Sequence, residues 1–494
     1  MSRLSTNVLL NYGGTLSTGL VYLILVPVYV RLLGLHGYGL IGLLNSIDAT
    51  LRFMDFGLTL GISREVARFA SRERVERVLG LGAISYGVVV ILTLLVMGGL
   101  GLWSDRLWPS MPNDRLFRLL WLFGAVLALR WIIVYCYAVL RGFEAHKRVN
   151  TSIVIGNAAR LILSVAFLSQ IQSSPLLAVL ALLAANIVEV LLAIGILWRE
   201  TRHRAIAFVW NEFSLFREVF AFSGYVTLSS VAAGVLKNLD KILLSFMVSF
   251  SALGAYQAAW TGVQAISSLI GPILVAAYPR LSRNFQQGDE AAVALTYHRI
   301  TSTMLVIAIP FALGGAAFSV TFLRLLTGSD AAGPLVSGAA ACLFVAAFFN
   351  AAMQASYILQ VAAGHPWIGA MTNSAAVLLL TPIYYLAIRH FGVTGAGLGW
   401  LAFNILYFLI IPNITHRFLL PQEKGRWFVQ TCGRPMLAGL LAFAPAAILS
   451  RFGGYSLAQD IAIGAVAALL YGVLLVLVVP DVRIYLAPYL KRLR

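Results

Sequence analysis

The run KNLDKILLS, Lys237 to Ser245, sets two lysines and an aspartate between apolar flanks, AFSGYVTLSSVAAGVL before it and FMVSF after it. Lys237, Asp240 and Lys241 are spaced i, i+3, i+4, so on a helix all three project from one side. On insertion scales a charge near mid-membrane costs about 2.5 to 3.5 kcal/mol, and one aspartate neutralises only one of two lysines. The chemistry such a patch offers is recognition of an anion. The plainer reading is an ion pair plus a lysine that snorkels to the outer surface. That reading suits Lys241, a turn or two from the helix end, better than the deeper Lys237.

Asn45, Asp48, Arg52 and Asp55 follow one another at spacings of three, four and three, a single polar stripe on a helix face that cannot point at lipid. Asp48 with Arg52 at i+4 also fits an internal pair that only locks helix packing. Asn7, Asn11, Thr15, Thr18 and Tyr22 repeat the pattern upstream, and Gln257, Thr261, Gln264 and Ser268 repeat it downstream. One Asn or Gln in a membrane helix is usually an interhelical hydrogen bond, but matched stripes predict a hydrated cavity lined by helices one, two, seven and eight. Arg130 and Arg160 are further intramembrane cations, the latter sharing a face with Asn157 and Ser164; both fit either that cavity or a structural pair with Glu189. Arg31 reads as an interfacial anchor. An interior tilted positive suits an anionic substrate, and the arginine fork suits phosphate oxygens.

The elements that must position these residues are membrane helices. The 494 residues are 60% hydrophobic and 11% charged, with mean hydropathy +0.87, where a soluble domain carries about 25% charge. Apolar runs long enough to cross a bilayer core of about 30 Å follow one another almost end to end. They begin near Val8, Tyr38, Val78, Leu116, Thr151, Leu176, Val219, Ala252, Ile300, Leu335, Ile368, Val393, Leu437 and Ala458, about fourteen spans in all. The formal net charge of +17 does not point to nucleic acid, because the cations lie mostly between these runs.

Every second break is basic: Arg64, Arg68, Arg72, Arg74 and Arg77; Arg141, Lys147 and Arg148; Arg199, Arg202 and Arg204; Arg280 and Arg283; Arg417, Lys424 and Arg426; then Lys491, Arg492 and Arg494. The intervening breaks carry little, chiefly Arg106, Arg115, Arg324, Arg389 and Arg451. Positive-inside bias therefore puts both termini in the cytoplasm, with the first helix retained rather than cleaved. YGGTLS from Tyr12 and YVTLS from Tyr225, His146 and His365, and NAARLIL from Asn157 and NSAAVLLL from Asn373 recur at a nearly constant offset. Six spans per half make parallel repeats related by an axis along the membrane normal. The expected organisation is a lobe over residues 1–215, a second over 216–433, and two added spans with a basic tail over 434–494, around a central cavity.

Cys136, Cys342 and Cys432 show no metal-ligand or CxxC spacing and read as free thiols. Gly57 and Gly61 form a GxxxG pair of the kind that lets helices pack closely. Ser63 to Arg77 and Phe208 to Phe216 read as basic interfacial helices against anionic lipid headgroups. No GxxxxGK[ST], HExxH or GxSxG occurs, so transport would run on gradients, potential or substrate flux, without cofactor, metal or catalytic residue.

The sequence resembles the polysaccharide and oligosaccharidyl-lipid exporters of the multidrug/oligosaccharidyl-lipid/polysaccharide flippase superfamily, especially the O-antigen flippase type. The matching stretches are MDFGLTLGISREVARFA (Met54 to Ala70), NLDKILLSFMVSFSALGAYQAA (Asn238 to Ala259) and YPRLSRNFQQGD (Tyr278 to Asp289). The resemblance implies two six-helix lobes around a cavity that opens alternately to each side, and a glycan on a polyprenyl pyrophosphate carrier flipped to the outer leaflet of the inner membrane. It further implies lipids and H+ or Na+ as partners, pyrophosphate held by Lys237, Lys241, Arg52, Arg130 and Arg160 with Asp240 holding the lysines in place, and sugar hydroxyls held by the polar stripes. The second-half loop at His365 departs from its first-half counterpart, lacking most of the basic character of Glu144 to Arg148. A cation-coupled drug or metabolite exporter of the same superfamily would need a more acidic cavity. A glycan polymerase or ligase would need a large outer loop, and a scaffold in an envelope assembly would need no charges facing a cavity.

Overall fold

The computed structural model describes residues 3–68, 72–109, 113–170, 173–201 and 224–478, and among them every regular element is a helix. Helix α1 (Arg3–Leu51) contains the first two expected spans, joined at Gly34, whose φ of 71° and ψ of 172° break the helix. A side chain would be strained there, so glycine marks the reversal. A 3-10 turn, Arg52–Asp55, and a basic helix, α2 (Leu58–Arg68), follow. Next come α3 (Arg72–Leu102), the single turn α4 (Ser104–Leu107), α5 (Asn113–Gly142), α6 (His146–Gln170), α7 (Pro175–Thr201) and α8 (Gly224–Met247). Then α9 (Phe250–Gln286), α10 (Glu290–Ala317), α11 (Ser319–Thr327) and α12 (Ala332–Ala362) lead into α13 (Pro366–Leu419). Helix α13 again holds two spans, divided at Gly392 with φ 56°. The chain closes with α14 (Arg434–Gly453) and α15 (Leu457–Val478).

Among the described residues, eleven helical stretches are long and apolar enough to cross a membrane. Two of these divide at Gly34 and Gly392, and the charged α8, with 24 residues, is long enough to cross as well. The fourteen expected spans are thereby accounted for, in the expected order.

The helices group into two compact units. One comprises 1–254 with 370–378, and the other 255–369 with 379–494. The seventh span, α8, thus belongs with the first six, because it packs along α1 and the Arg52–Asp55 turn. Within the first unit α3 lies on α5, α5 on α7, α7 on α6 and α6 on α1. Within the second, α10 lies on α12 and α14, and α14 on α15. Lipid supplies no hydrophobic drive for such contacts, so small residues and polar pairs hold them; Ala339, Ala340, Ala346 and Ala355 are all fully buried on α12.

Gly57 and Gly61 do not share one helix, since α2 begins at Leu58. Gly57 lies in the reversal after Asp55 with φ 76°, and its carbonyl accepts the Gly61 amide at 3.0 Å. Part of the expected interfacial stretch Ser63 to Arg77 is the helix α2, while Phe208 to Phe216 lies outside the described residues. All three cysteines are free.

Candidate functional site

The second span carries Asn45, Asp48 and Arg52 down one face, but the helix ends at Leu51 and its last turn tightens to 3-10 over Arg52–Asp55. Asp55 therefore leaves the stripe. Its carboxylate accepts the hydroxyls of Tyr86 at 2.5 Å and Thr59 at 2.7 Å. Asp48 stays on the face and is buried. It accepts from Arg52 Nη2 at 3.0 Å and, still more closely, from Arg130 Nη1 of α5. Arg130 is four-fifths buried, whereas Arg52 is 64% exposed, so a single carboxylate serves a structural cation and an accessible one.

A second cluster lies behind the first. Arg160 of α6 is buried and donates to Asn157 Oδ1 and Asn186 Oδ1, each at 3.3 Å. It also pairs with Glu189 Oε2 at 3.7 Å. Glu189 accepts the Tyr137 hydroxyl at 2.9 Å. Gly156 makes room for that carboxylate, since a Cβ on it would stand 2.6 Å from Glu189 Oε2. Asn157 Nδ2 donates to Thr18 Oγ1 at 2.8 Å and Ser17 Oγ at 3.2 Å, tying α6 to the polar stripe of α1. One helical turn on, Tyr22 stands within electrostatic reach of Arg160, Arg130, Asp48 and Arg52, and so links both clusters.

On α8 the triplet divides. Asp240 and Lys241 are fully buried, with Lys241 Nζ 3.0 Å from Asp240 Oδ1 and 2.6 Å from the carbonyl of Lys237. The Lys237 side chain is exposed, and among the described residues no carboxylate pairs with it. Gly234 faces Ala49, whose carbonyl would lie 3.8 Å from a Cβ on Gly234. Because successive spans alternate in direction, α8 runs antiparallel to the second span. Lys237 and Arg52 consequently stand about one turn to either side of that contact, the rise being about 1.5 Å per residue.

The residues from the eighth span belong to the second unit. Gln257 is half-buried, and its Oε1 has no hydrogen-bond partner among the described residues; its backbone carbonyl accepts from Thr261 Oγ1 at 2.9 Å. Gln264 is exposed and Asn45 half-buried. The side chain of Asn11 lies outside the described residues.

Of the five cations expected to bind phosphate, Arg160 and Lys241 are thus engaged in burial, Arg130 is partly so, and Arg52 and Lys237 reach the surface. Sequence reasoning did not single out Asn186, Tyr137 or Ser152. Asn186 stands three residues before Glu189 on the same face of α7, a spacing that could have shown it. Tyr137 and Ser152, 3.0 Å apart, join through tertiary contact alone.

Comparison with known proteins agrees with this architecture. A protein of Escherichia coli (strain K12) named as an O-antigen transporter is 25% identical over 309 residues, covering 62% of this chain and 70% of that protein. Among solved structures, an inward-facing multidrug resistance MATE family transporter of the MOP superfamily superposes with TM-score 0.66 at 14% identity, covering 83% of this chain and 95% of that one. The lipid II flippase MurJ in an inward closed conformation does so with TM-score 0.65 at 13% identity, over 92% and 99%. The family described as "Polysaccharide biosynthesis protein" matches residues 4–285, more than half of the sequence. With its all-helical multi-pass fold, the chain belongs to that family.

Proposed function

We propose that this transporter flips a polyprenyl-pyrophosphate-linked oligosaccharide, such as an O-antigen or exopolysaccharide repeat unit, from the inner to the outer leaflet of the cell inner membrane by alternating access. Both termini would be cytoplasmic. One observation supports the reading: the spans of the first unit carry Arg52, Arg130, Arg160, Lys237 and Lys241 against Asp48, Glu189 and Asp240. The balance stays positive even when Asp55 is counted. An excess cation in this setting is costly unless an anion completes it. The pyrophosphate is such an anion, and its prenyl chain can remain in lipid while the charge enters the protein.

In this reading Lys237 and Arg52 meet the phosphate oxygens directly and Arg130 adds its field. Lys241, Asp240 and Arg160 fix the helices that present them. Asp48 keeps Arg52 oriented without cancelling it, since Arg130 shares the same carboxylate. Polar side chains of the first and second spans offer hydrogen bonds to sugar hydroxyls. Relatives named as O-antigen transporters and the likeness to a lipid II flippase support the substrate class. The positive balance argues against a cation exporter.

Deletion of the gene should leave carrier-linked sugar on the inner leaflet and remove the glycan from the cell surface. Unpolymerised glycan delivered outside would sink the proposal in favour of a polymerase. Unchanged surface glycan in a strain producing Lys237→Ala at normal membrane levels would remove Lys237 from the mechanism.

A further inference from the structure

The junction at which α14 begins concentrates buried titratable groups of the second unit. After α13 the chain makes a 3-10 turn, Pro421–Glu423, a helical turn, Lys424–Arg426, and then a π turn, Trp427–Gly433, that runs directly into α14. π turns are rare and cluster at functional positions. Here the turn is anchored by Trp427, fully buried, stacked on Tyr297 of α10 at 6.0 Å and donating Nε1–H to Thr301 Oγ1 at 3.2 Å. With Trp427 held, the wider winding carries Thr431 round to α10. Its Oγ1 stands 2.6 Å from Nδ1 of the buried His298. The other ring nitrogen, Nε2, is 2.8 Å from Glu423 Oε2, and Arg426 flanks the same carboxylate oxygen at 3.6 Å.

The run Glu423, His298, Thr431 satisfies the imidazole in both of its charge states. In the neutral ring Nε2–H donates to Glu423 and Nδ1 accepts the Thr431 hydroxyl hydrogen. In the cation Nε2–H still donates to Glu423, while Nδ1–H now donates to Thr431 Oγ1. The arriving proton adds one charge opposite an ionised carboxylate and strands no polar atom. The nearby His416 of α13 has no such provision. Its Nδ1–H donates to the Pro412 carbonyl at 2.6 Å, and its Nε2 is buried without a partner among the described residues, packed between Tyr297 and Trp427 at 5.6 and 5.5 Å. A proton on that nitrogen would be a buried donor with nothing to accept it.

We propose that His298, held between Glu423 and Thr431, is a proton-binding site whose occupancy is transmitted to the π turn at the head of α14. Among the described residues, the titratable and charged groups around it are Tyr297 on α10, His416 on α13, Glu423, Lys424 and Arg426 on the connector, and Cys432 on the π turn. Helix α12 contributes only neutral groups, Ser356, 2.8 Å from the Tyr297 hydroxyl, and Gln360, which donates to Thr415 at 2.8 Å. Glu423 is the single carboxylate of the set. Transmission follows from Thr431: once Nδ1–H occupies its oxygen, its own hydrogen must turn to another acceptor. On a helix that acceptor is a carbonyl of the preceding turn, and such back-bonding bends the helix. The ligand is the proton itself, so the inference does not depend on what the transporter carries.

The test uses the full chain in lipid bilayers with 15N-labelled histidine, observed by solid-state NMR from pH 5 to 8, the range in which histidine changes charge. Among the seven histidines, the signal lost in His298→Gln should titrate within that range in the wild type. In Glu423→Gln its midpoint should fall by about one pH unit or more, the effect of removing an adjacent opposite charge. Thr431→Val, nearly isosteric and spared any change at the histidine, should shift the same midpoint downward. Hydrogen-exchange protection of 427–433 should change with the wild-type midpoint. A His298 signal that does not titrate, a midpoint unmoved in both variants, or a π turn whose protection ignores pH would overturn the proposal.

Discussion

The two units solve the same problem, polar groups inside lipid, in opposite ways. Within the spans of the first, formal charges meet: Asp48 with Arg130 and Arg52, Arg160 with Glu189, Lys241 with Asp240. Among the described residues of the second, the mid-span polar contacts are neutral. Asn350 Nδ2 donates to Asn404 Oδ1 at 3.1 Å, Gln354 to Asn350 at 3.1 Å and Gln360 to Thr415 at 2.8 Å. Its ion pairs sit near helix ends, His298 with Glu423 and Arg324 with Asp330. Neutral amide pairs hold helices together cheaply. Charge networks cost more to bury, so on the proposed reading the contrast separates a unit that meets an anion from one whose interior serves packing.

Asp48→Ala should be the sharpest way to break this contrast. It leaves Arg130 buried beside Arg52 with no carboxylate, and losing one partner of a buried pair costs about 3 to 5 kcal/mol. A large fall in thermal unfolding temperature of the purified protein is expected, and an unchanged one would mean that the cluster is solvated. Lys237→Ala comes next, with its effect on transport rather than stability. Flipping of lipid-linked glycan should drop at least about tenfold, one charge-assisted hydrogen bond being worth about 1.5 to 3 kcal/mol, while Lys237→Arg retains much of it. Gly156→Ala presses a methyl onto the Glu189 carboxylate, and overpacking of this kind costs about 1 to 3 kcal/mol; restored stability in Gly156→Ala with the shorter Glu189→Asp would show that the clash acts through that group. Asn404→Leu in the second unit should cost least, about 0.6 to 1.7 kcal/mol as for other interhelical hydrogen bonds in membranes, and leave transport nearly intact. A loss as large as that of Asp48→Ala would erase the distinction between the units.

Much of the first cluster was legible beforehand because helical spacing maps directly onto faces. Asp48 and Arg52 are paired as their i+4 separation implies, and Arg160 meets Glu189, one of its two expected environments. Asp55 escaped that logic. Its position at i+3 from Arg52 holds only on a continuous α-helix, and the tightening to 3-10 followed by the left-handed Phe56 and Gly57 turns it toward Tyr86. Lys237 and Lys241 share a face, as spacing demands, yet have different fates because neighbouring helices cover only one of them. The π turn and the His298 contacts left no trace in the periodicity, since they depend on where Trp427 docks on α10.

Composition and the alternation of charge between apolar runs were enough to establish a many-span helical membrane protein, because a backbone in lipid must satisfy its own hydrogen bonds and helices are the simplest way to do so. Spacing along single helices was enough to nominate the polar faces. Tertiary packing alone decided which cation each carboxylate serves, which lysine is covered and which is left open, and that two histidines far apart in sequence share one pocket of the second unit with a tryptophan. Those outcomes depend on distances between helices, which a one-dimensional pattern does not contain.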